Sequence, residues 1–145
     1  MSNVTTRLAE IPQDFPQIYK IRYLVFQIEQ GVDPILEFDG QDEQAQHILT
    51  YLDGKPVGTA RIRFWDDRTA KVERVAVLAE VRGQGIGRTL MEYILNLLAE
   101  KHVVEVAMNA QESVIEFYEK LGFTSEGELF EEAGIPHIKM RKLLQ

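Results

Sequence analysis

Cysteine is absent from the 145 residues, which excludes disulfide bridges, thiolate zinc sites and a cysteine nucleophile at once. No run of about 18 apolar residues is present to span a bilayer. Nor does an amino-terminal segment join basic residues to an apolar stretch in the manner of a secretion signal. The expected setting is the cytoplasm, with no membrane partner. Positive charge is also scarce: Lys and Arg total 16 against 23 Asp and Glu, a formal charge of −7. That balance argues against nucleic acid as a partner and favours a cationic substrate such as an amine. His47, His102 and His137 are scattered without ligand spacing, so no metal site is expected. The length corresponds to one domain over residues 1–145.

The apolar pattern alternates between strand and helix periods. Residues 4–11 read as a first strand. From 15 to 28, Ile18, Ile21, Val25 and Ile28 recur at three- and four-residue steps, the stripe of an amphipathic helix. A loop with Gly31, Pro34 and Gly40 follows. Residues 47–52 and 57–65 are strands joined by Asp53-Gly54-Lys55-Pro56, a hairpin turn. After Asp66-Asp67-Arg68 a further strand covers 71–78. Leu90, Ile94 and Leu97 form the buried face of the next helix. Residues 103–108 are apolar except Glu105, so burial on both sheet faces is expected. Val114, Phe117, Tyr118 and Leu121 stripe another helix halted by Gly122, and residues 123–129 and 137–143 close the chain as strands. The order β-α-β-β-β-α-β-α-β-β predicts an α/β fold on a mixed sheet flanked by helices.

Between the strand ending near 78 and the helix of Leu90 the chain reads Val81-Arg82-Gly83-Gln84-Gly85-Ile86-Gly87-Arg88-Thr89. Small residues let successive backbone N–H groups turn inward, and a helix starting near Gly85 adds unpaired amides and the positive end of its dipole. An anion fits such a cradle. The pattern is not a dinucleotide-binding GxGxxG, which needs glycine where Arg88 stands, nor a P-loop, whose Gly-Lys-Ser/Thr ending is missing. A ligand-free strand-to-helix turn is the other reading that the glycines alone permit.

Arg82-x-x-Gly85-x-Gly87 follows the pattern Gln/Arg-x-x-Gly-x-Gly/Ala, and Phe117-Tyr118-Glu119-Lys120-Leu121-Gly122-Phe123 follows Phe-Tyr-x-x-x-Gly-Phe. Here the chain resembles the GCN5-related N-acetyltransferase (GNAT) superfamily, in its small bacterial single-domain type. The order of strands and helices is similar along essentially the whole chain, most strongly from 72 to 123 and most weakly in the first 45 residues. The resemblance implies a GNAT-like acyl-CoA N-acyltransferase fold, acetyl-CoA as acyl donor without a metal, an amine on a small molecule or a protein as acceptor, and a monomer or homodimer. It implies that Arg82, Gly83, Gln84, Gly85, Ile86, Gly87, Arg88 and Thr89 hold the coenzyme pyrophosphate, chiefly by backbone atoms. Val75, Ala76 and Val77 would pair with the pantetheine arm as though it were an added strand. Asn109 would bond that arm where two parallel strands splay apart. Tyr118 would touch the coenzyme and protonate its departing thiolate, a role for which an ordinary phenol, pKa near 10, is correctly protonated at neutral pH.

Transfer to an amine also requires a base. Glu73 lies on the strand of Val75 and Val77, and period-two alternation places all three on one face with the carboxylate aimed at the thioester. The plain alternative is a charge that balances Arg74 or Lys71. His137, opening the last strand and titrating near neutrality, is the second candidate. Asn109 has an alternative as N-cap of a helix beginning near Gln111, and Tyr118 as a core aromatic. Asp33, Glu37, Asp39, Asp42 and Glu43 crowd one loop, but Ile35 falls at the first ligand position of an EF-hand whose sixth would be Gly40. That leaves a solvated loop or a negative lip for an ammonium. Residues 21–30, with Asp39, Asp42 and His47, are also similar to the amino end of a subgroup of small bacterial GNAT proteins. The expected activity is direct attack of an amine on bound acetyl-CoA with no covalent intermediate. Two alternatives stand beside it: a catalytically silent CoA-binding sensor or partner module, and an acyl-homoserine lactone synthase, for which a longer chain is expected.

Overall fold

The computed structural model describes residues 2–144. A seven-stranded sheet runs β1-β2-β3-β4-β5-β7-β6, from β1 (Val4–Leu8), β2 (Gln46–Leu52), β3 (Lys55–Phe64), β4 (Thr69–Val77), β5 (Glu105–Gln111), β6 (Thr124–Glu132) and β7 (Ile135–Leu143). Neighbours are antiparallel except β4 and β5. The helices are α1 (Phe15–Arg22), α2 (Pro34–Glu37), α3 (Ile86–Glu100) and α4 (Ile115–Glu119). The mixed α/β architecture expected from the apolar periods is therefore present. Among the described residues no helix is long and apolar enough to cross a membrane.

Alternation along β2 divides the core. Ile48 joins Ala60, Ile62 and Val72 against the Leu90, Met91, Ile94 and Leu98 stripe of α3, whereas Leu49 joins Val57 and Ala76 against Ile18 and Ile21 of α1. Burying one such side chain contributes about 1.5–3 kcal/mol. Leu98, not Leu97, completes the fully buried stripe; Leu97 is only partly covered. Asp53 and Gly54, with φ of 51° and 82°, form a two-residue turn whose positive φ angles match the twist of β2 and β3. Lys55 and Pro56, read as turn residues, belong to β3 instead.

Other boundaries moved for physical reasons. β1 stops at Leu8, short of the expected residue 11. The stripe read over 15–28 is helical throughout, but beyond Arg22 it widens into a π-helix, Tyr23–Glu29. The acidic loop contains α2, whose first turn is capped by Asp33, its Oδ1 accepting from the Ile35 amide at 2.9 Å. β5 extends to Gln111, so Asn109 is a ladder residue opposite Lys139 and not an N-cap. A 3-10 turn, Glu112–Val114, precedes α4.

One feature of the sheet makes a site. β4 and β5 are in register only at Thr69 to Lys71 against Glu105 to Ala107. Beyond those rows β4 stays with β3 as far as Val77, and β5 stays with β7 as far as Gln111. The two parallel strands part, and a cleft opens between them.

Candidate active site

The cleft has a volume of about 950 Å³. Val75, Ala76 and Val77 of β4 line one side and Asn109 of β5 the other; Gly83, Gly85, Ile86, Gly87, Arg88 and the Arg82 side chain close one end, and Tyr118, Glu73 and His137 also face it. Of the residues expected at the site, Gln84 and Thr89 do not line the cleft. Thr89 is already inside α3, its amide donating to the Gly85 carbonyl at 3.0 Å.

That bond is the first of the helix, so the amides of Ile86, Gly87 and Arg88 have no intrahelical carbonyl. No side chain caps this end, and no acidic residue stands in its first turn. Gly83 and Gly85 hold φ near 80°, a left-handed conformation that costs other residues about 1–2 kcal/mol, while space for a Cβ is free at both. Gly87 has an ordinary helical backbone, and a Cβ there would lie 3.4 Å from the Phe117 ring, in van der Waals contact. The result is an uncapped, positively polarised helix end opening on the cleft, which favours an anion.

The flanking arginines are engaged elsewhere. Arg82 forks onto Glu29 at 2.5 and 2.6 Å and donates to the Val77 carbonyl at 2.8 and 3.0 Å. Arg88, exposed, reaches Glu92 one helical turn on at 3.4 Å. Backbone atoms are thus the principal donors at this end of the cleft.

Past Lys71 the β5-facing edge of β4 has no partner strand, an arrangement that accepts an extended ligand by β-augmentation. A bulge also interrupts β4. Arg61 faces Glu73 and Thr59 faces Ala76, so Ala60 opposes two residues, Arg74 and Val75. Arg74 takes φ of 54° to make this possible. The bulge overturns the period-two argument for Glu73: Val75 packs on the α3 side of the sheet while Ala76 joins the α1 side.

Glu73 is also tied down. It pairs with buried Arg61, accepts from Arg63 Nε at 2.7 Å and lies 3.7 Å from Lys71 Nζ. Burial pushes its carboxyl up, but the hydrogen bonds and charges of Arg61, Arg63 and Lys71 outweigh burial and hold it below the ordinary carboxylate value. A carboxylate so stabilised is a poor proton acceptor. Of the two readings offered by the sequence, charge balance is the one its geometry matches, with Arg61 and Arg63 as the main partners.

The acidic loop is largely exposed, with Asp33 and Glu43 at the surface, but three of its carboxylates are paired with arginines. Glu37 pairs with Arg22, Asp42 binds Arg22 at 2.8 Å and Arg61 at 3.0 Å, and Asp39 binds Arg61 at 2.8 Å. The Arg61 hydrogen bonds hold the Asp39 carboxyl well below its usual range, against an opposing push from burial. Arg22 also stacks over Tyr19 and Phe38, 5.4 and 5.5 Å from their ring centres.

Tyr118 is buried between Phe117 and Phe123, with ring centres 5.0 and 5.9 Å away. Burial raises its pKa, so the phenol is firmly protonated at neutral pH. Asn109 Nδ2 donates to Glu132 Oε1 at 3.2 Å. His137 is buried, with Nδ1 2.7 Å from the Ile135 carbonyl and Nε2 3.6 Å from Glu132 Oε2. A carbonyl can only accept, so Nδ1 carries the proton. In the neutral ring Nε2 keeps its lone pair.

A family model for the GNAT acetyltransferase domain matches residues 29–144. The chain belongs to the GNAT acetyltransferase family. It is 39% identical to Bacillus subtilis YyaT over 132 residues, 89% of this chain and 88% of that protein. Escherichia coli ElaA is 34% identical over 134 residues, 88% of this chain and 87% of ElaA. The ElaA crystal structure, aligned at 29% identity, superposes with a TM-score of 0.83 over 98% of this chain and 99% of ElaA. A crystal structure from Lactobacillus plantarum, 25% identical, reaches a TM-score of 0.90 over 98% of this chain and 99% of that one.

Within this GNAT domain the sequence reading missed Arg61, Arg63 and Glu132, because nothing local marks them. Their partners are 12 and 10 positions away for the arginines and Glu73, and 23 for Glu132 and Asn109. It also missed the amide pair of Gln30 and Gln111, which bond reciprocally at 3.0 and 3.4 Å and join the π-helix to the end of β5.

Proposed function

We propose that this GNAT protein transfers an acetyl group from acetyl-CoA to a primary amine by direct attack on the thioester. The observation that carries the proposal is the continuity of two features, an unpaired β4 edge and an uncapped helix end, along one cleft. A molecule that is extended at one end and doubly anionic at the other fits that pair of features. Pyrophosphate oxygens would accept from the amides of the glycine loop, and the pantetheine arm would lie along Val75 to Val77 with Asn109 opposite. A main-chain amide at the bulge near Val75 would polarise the thioester carbonyl.

His137 is the favoured base, in preference to Glu73. Its Nε2 takes one proton from the acceptor ammonium, and the neutral nitrogen attacks the carbonyl carbon. As the C–S bond breaks, Tyr118 gives its proton to the thiolate, and the second proton shed by the acylated nitrogen restores the phenol. Holding both reactants in one cleft supplies much of the rate. Thiol release over a panel of amines, run beside calorimetric titration of acetyl-CoA, tests this. Binding with amine-dependent release supports an enzyme; binding with no release on any amine supports the silent CoA-binding module instead.

A further inference from the structure

Near the point where β4 and β5 part, a cluster of ion pairs carries an excess of positive charge. Five cations, Arg22, Arg61, Arg63, Lys71 and Arg74, share four carboxylates, Glu37, Asp39, Asp42 and Glu73. The fully buried pair takes the strongest partners: Arg22 has Glu37 and Asp42, and Arg61 has Asp39, Asp42 and Glu73. The three that line the cleft, Arg63, Lys71 and Arg74, are left with fractions.

Arg63 and Lys71 are opposite one another in the β3–β4 ladder, and both lean on the same oxygen, Glu73 Oε1. Lys71 Nζ, with three protons to donate, is 3.7 Å from it. Arg74 reaches the main-chain oxygens of Leu36 and Glu37 and one oxygen of Asp39, all at 3.2–3.3 Å, through Nε and Nη2. Its Nη1 donates to none of the described residues. Burial, and then the charge of Arg61, push this guanidinium below its ordinary pKa, as befits a cation whose surroundings only partly compensate it. The left-handed backbone of Arg74, with φ of 54°, holds the group there despite the strain of that conformation.

We infer that Arg63, Lys71 and Arg74 receive a carboxylate on the acceptor, so that the acceptor is an amine bearing a carboxylate, an amino acid in the broad sense. The inference rests on the acetyl-transfer reading and adds the substrate class to it. The cluster's excess is one positive charge, and Glu132 beside Asn109 adds a carboxylate to the cleft, so a monoanion is accommodated better than a dianionic phosphate. It also departs from the expectation of a negative lip, since Glu37, Asp39 and Asp42 are paired with Arg22 and Arg61. Arg63 and Lys71 form one ladder row and Glu73, paired with Arg61, lies two residues further along β4, so the carboxylate would sit on the cleft side of them with the amine directed along the cleft.

The test compares α-amino acids with their decarboxylated amines, and with an aminoalkyl phosphate, in acetyl-CoA-dependent thiol release and in thermal protection of the CoA-loaded protein. At least one amino acid should exceed its decarboxylated partner by about tenfold in kcat/KM. Lys71→Met and Arg74→Gln should each collapse that ratio through KM, and in Lys71→Met, which lies outside the β4 bulge, acetyl-CoA affinity should stay within about twofold. Equal or better response to the decarboxylated amines, preference for the phosphate, no response to any amino acid, or an unaltered ratio in both variants overturns the inference. Failure of acetyl-CoA to bind overturns the transfer reading itself, and titration shows that separately.

Discussion

Arg61 and Glu73 oppose each other across β3 and β4 and join their side chains in a buried ion pair. The pair makes Glu73 part of the frame that holds the acidic loop on the sheet. Replacing Glu73 by Gln leaves Arg61 undercompensated, and breaking such a buried pair costs about 3 kcal/mol. Urea denaturation should show that loss, and the pH–rate profile should keep its rising limb. Unchanged stability together with a flattened limb would return Glu73 to the role of base.

His137 is expected to carry that limb. His137→Gln should lower kcat by about 10²- to 10³-fold, with acetyl-CoA affinity preserved and the rising limb removed. Steady-state rates from about pH 6 to 9 decide it. A variant whose profile matches that of the parent protein excludes this imidazole as base.

Tyr118→Phe removes one oxygen from a ring that stays packed between Phe117 and Phe123. A fall in kcat of about 10²-fold is expected, with little change in the KM for acetyl-CoA. Poor leaving groups should suffer most: a more acidic thiol than CoA should restore much of the loss. An equal loss with both donors would argue that the hydroxyl serves packing only.

The stability of the fold should fall in two stages as pH drops. His47 is buried, its Nε2 against the Asp42 carbonyl at 2.8 Å and its Nδ1 without a partner, and burial lowers its pKa. The unfolded chain therefore takes up this proton near the ordinary 6.5 while the folded chain does not, and stability declines below that point. Asp39, Asp42 and Glu73 are also lowered, from ordinary values of 3.8, 3.8 and 4.5, so their contribution is full above those values and lost as pH falls through the depressed ones. Thermal melts of the parent and His47→Gln should differ in slope below about pH 6.5, the parent losing stability there that the variant does not. Parallel curves throughout would contradict the assignment to His47.

What was legible in the chain is what short-range pattern encodes. Ile48 and Leu49 announce a strand buried on two faces, Leu90 and Ile94 a helix, and Asp53-Gly54 a tight turn. The glycine loop was legible because the left-handed φ at Gly83 and Gly85 favours glycine. The bulge at Arg74 was not, since neither glycine nor proline marks it, and one extra residue there was enough to invalidate the face assigned to Glu73. The pairing of Glu37, Asp39 and Asp42 was not legible for a related reason: their partners Arg22 and Arg61 are 15 to 22 positions away, and sequence spacing says nothing of such pairs.

The most direct measurement is calorimetric titration of acetyl-CoA into the parent protein and into Gly85→Glu, with circular dichroism to confirm that both are folded. A carboxylate at the mouth of α3 should repel the pyrophosphate, so the parent should bind in the micromolar range and the variant at least about tenfold more weakly. No heat from the parent protein, or equal affinity in a folded variant, would contradict the account.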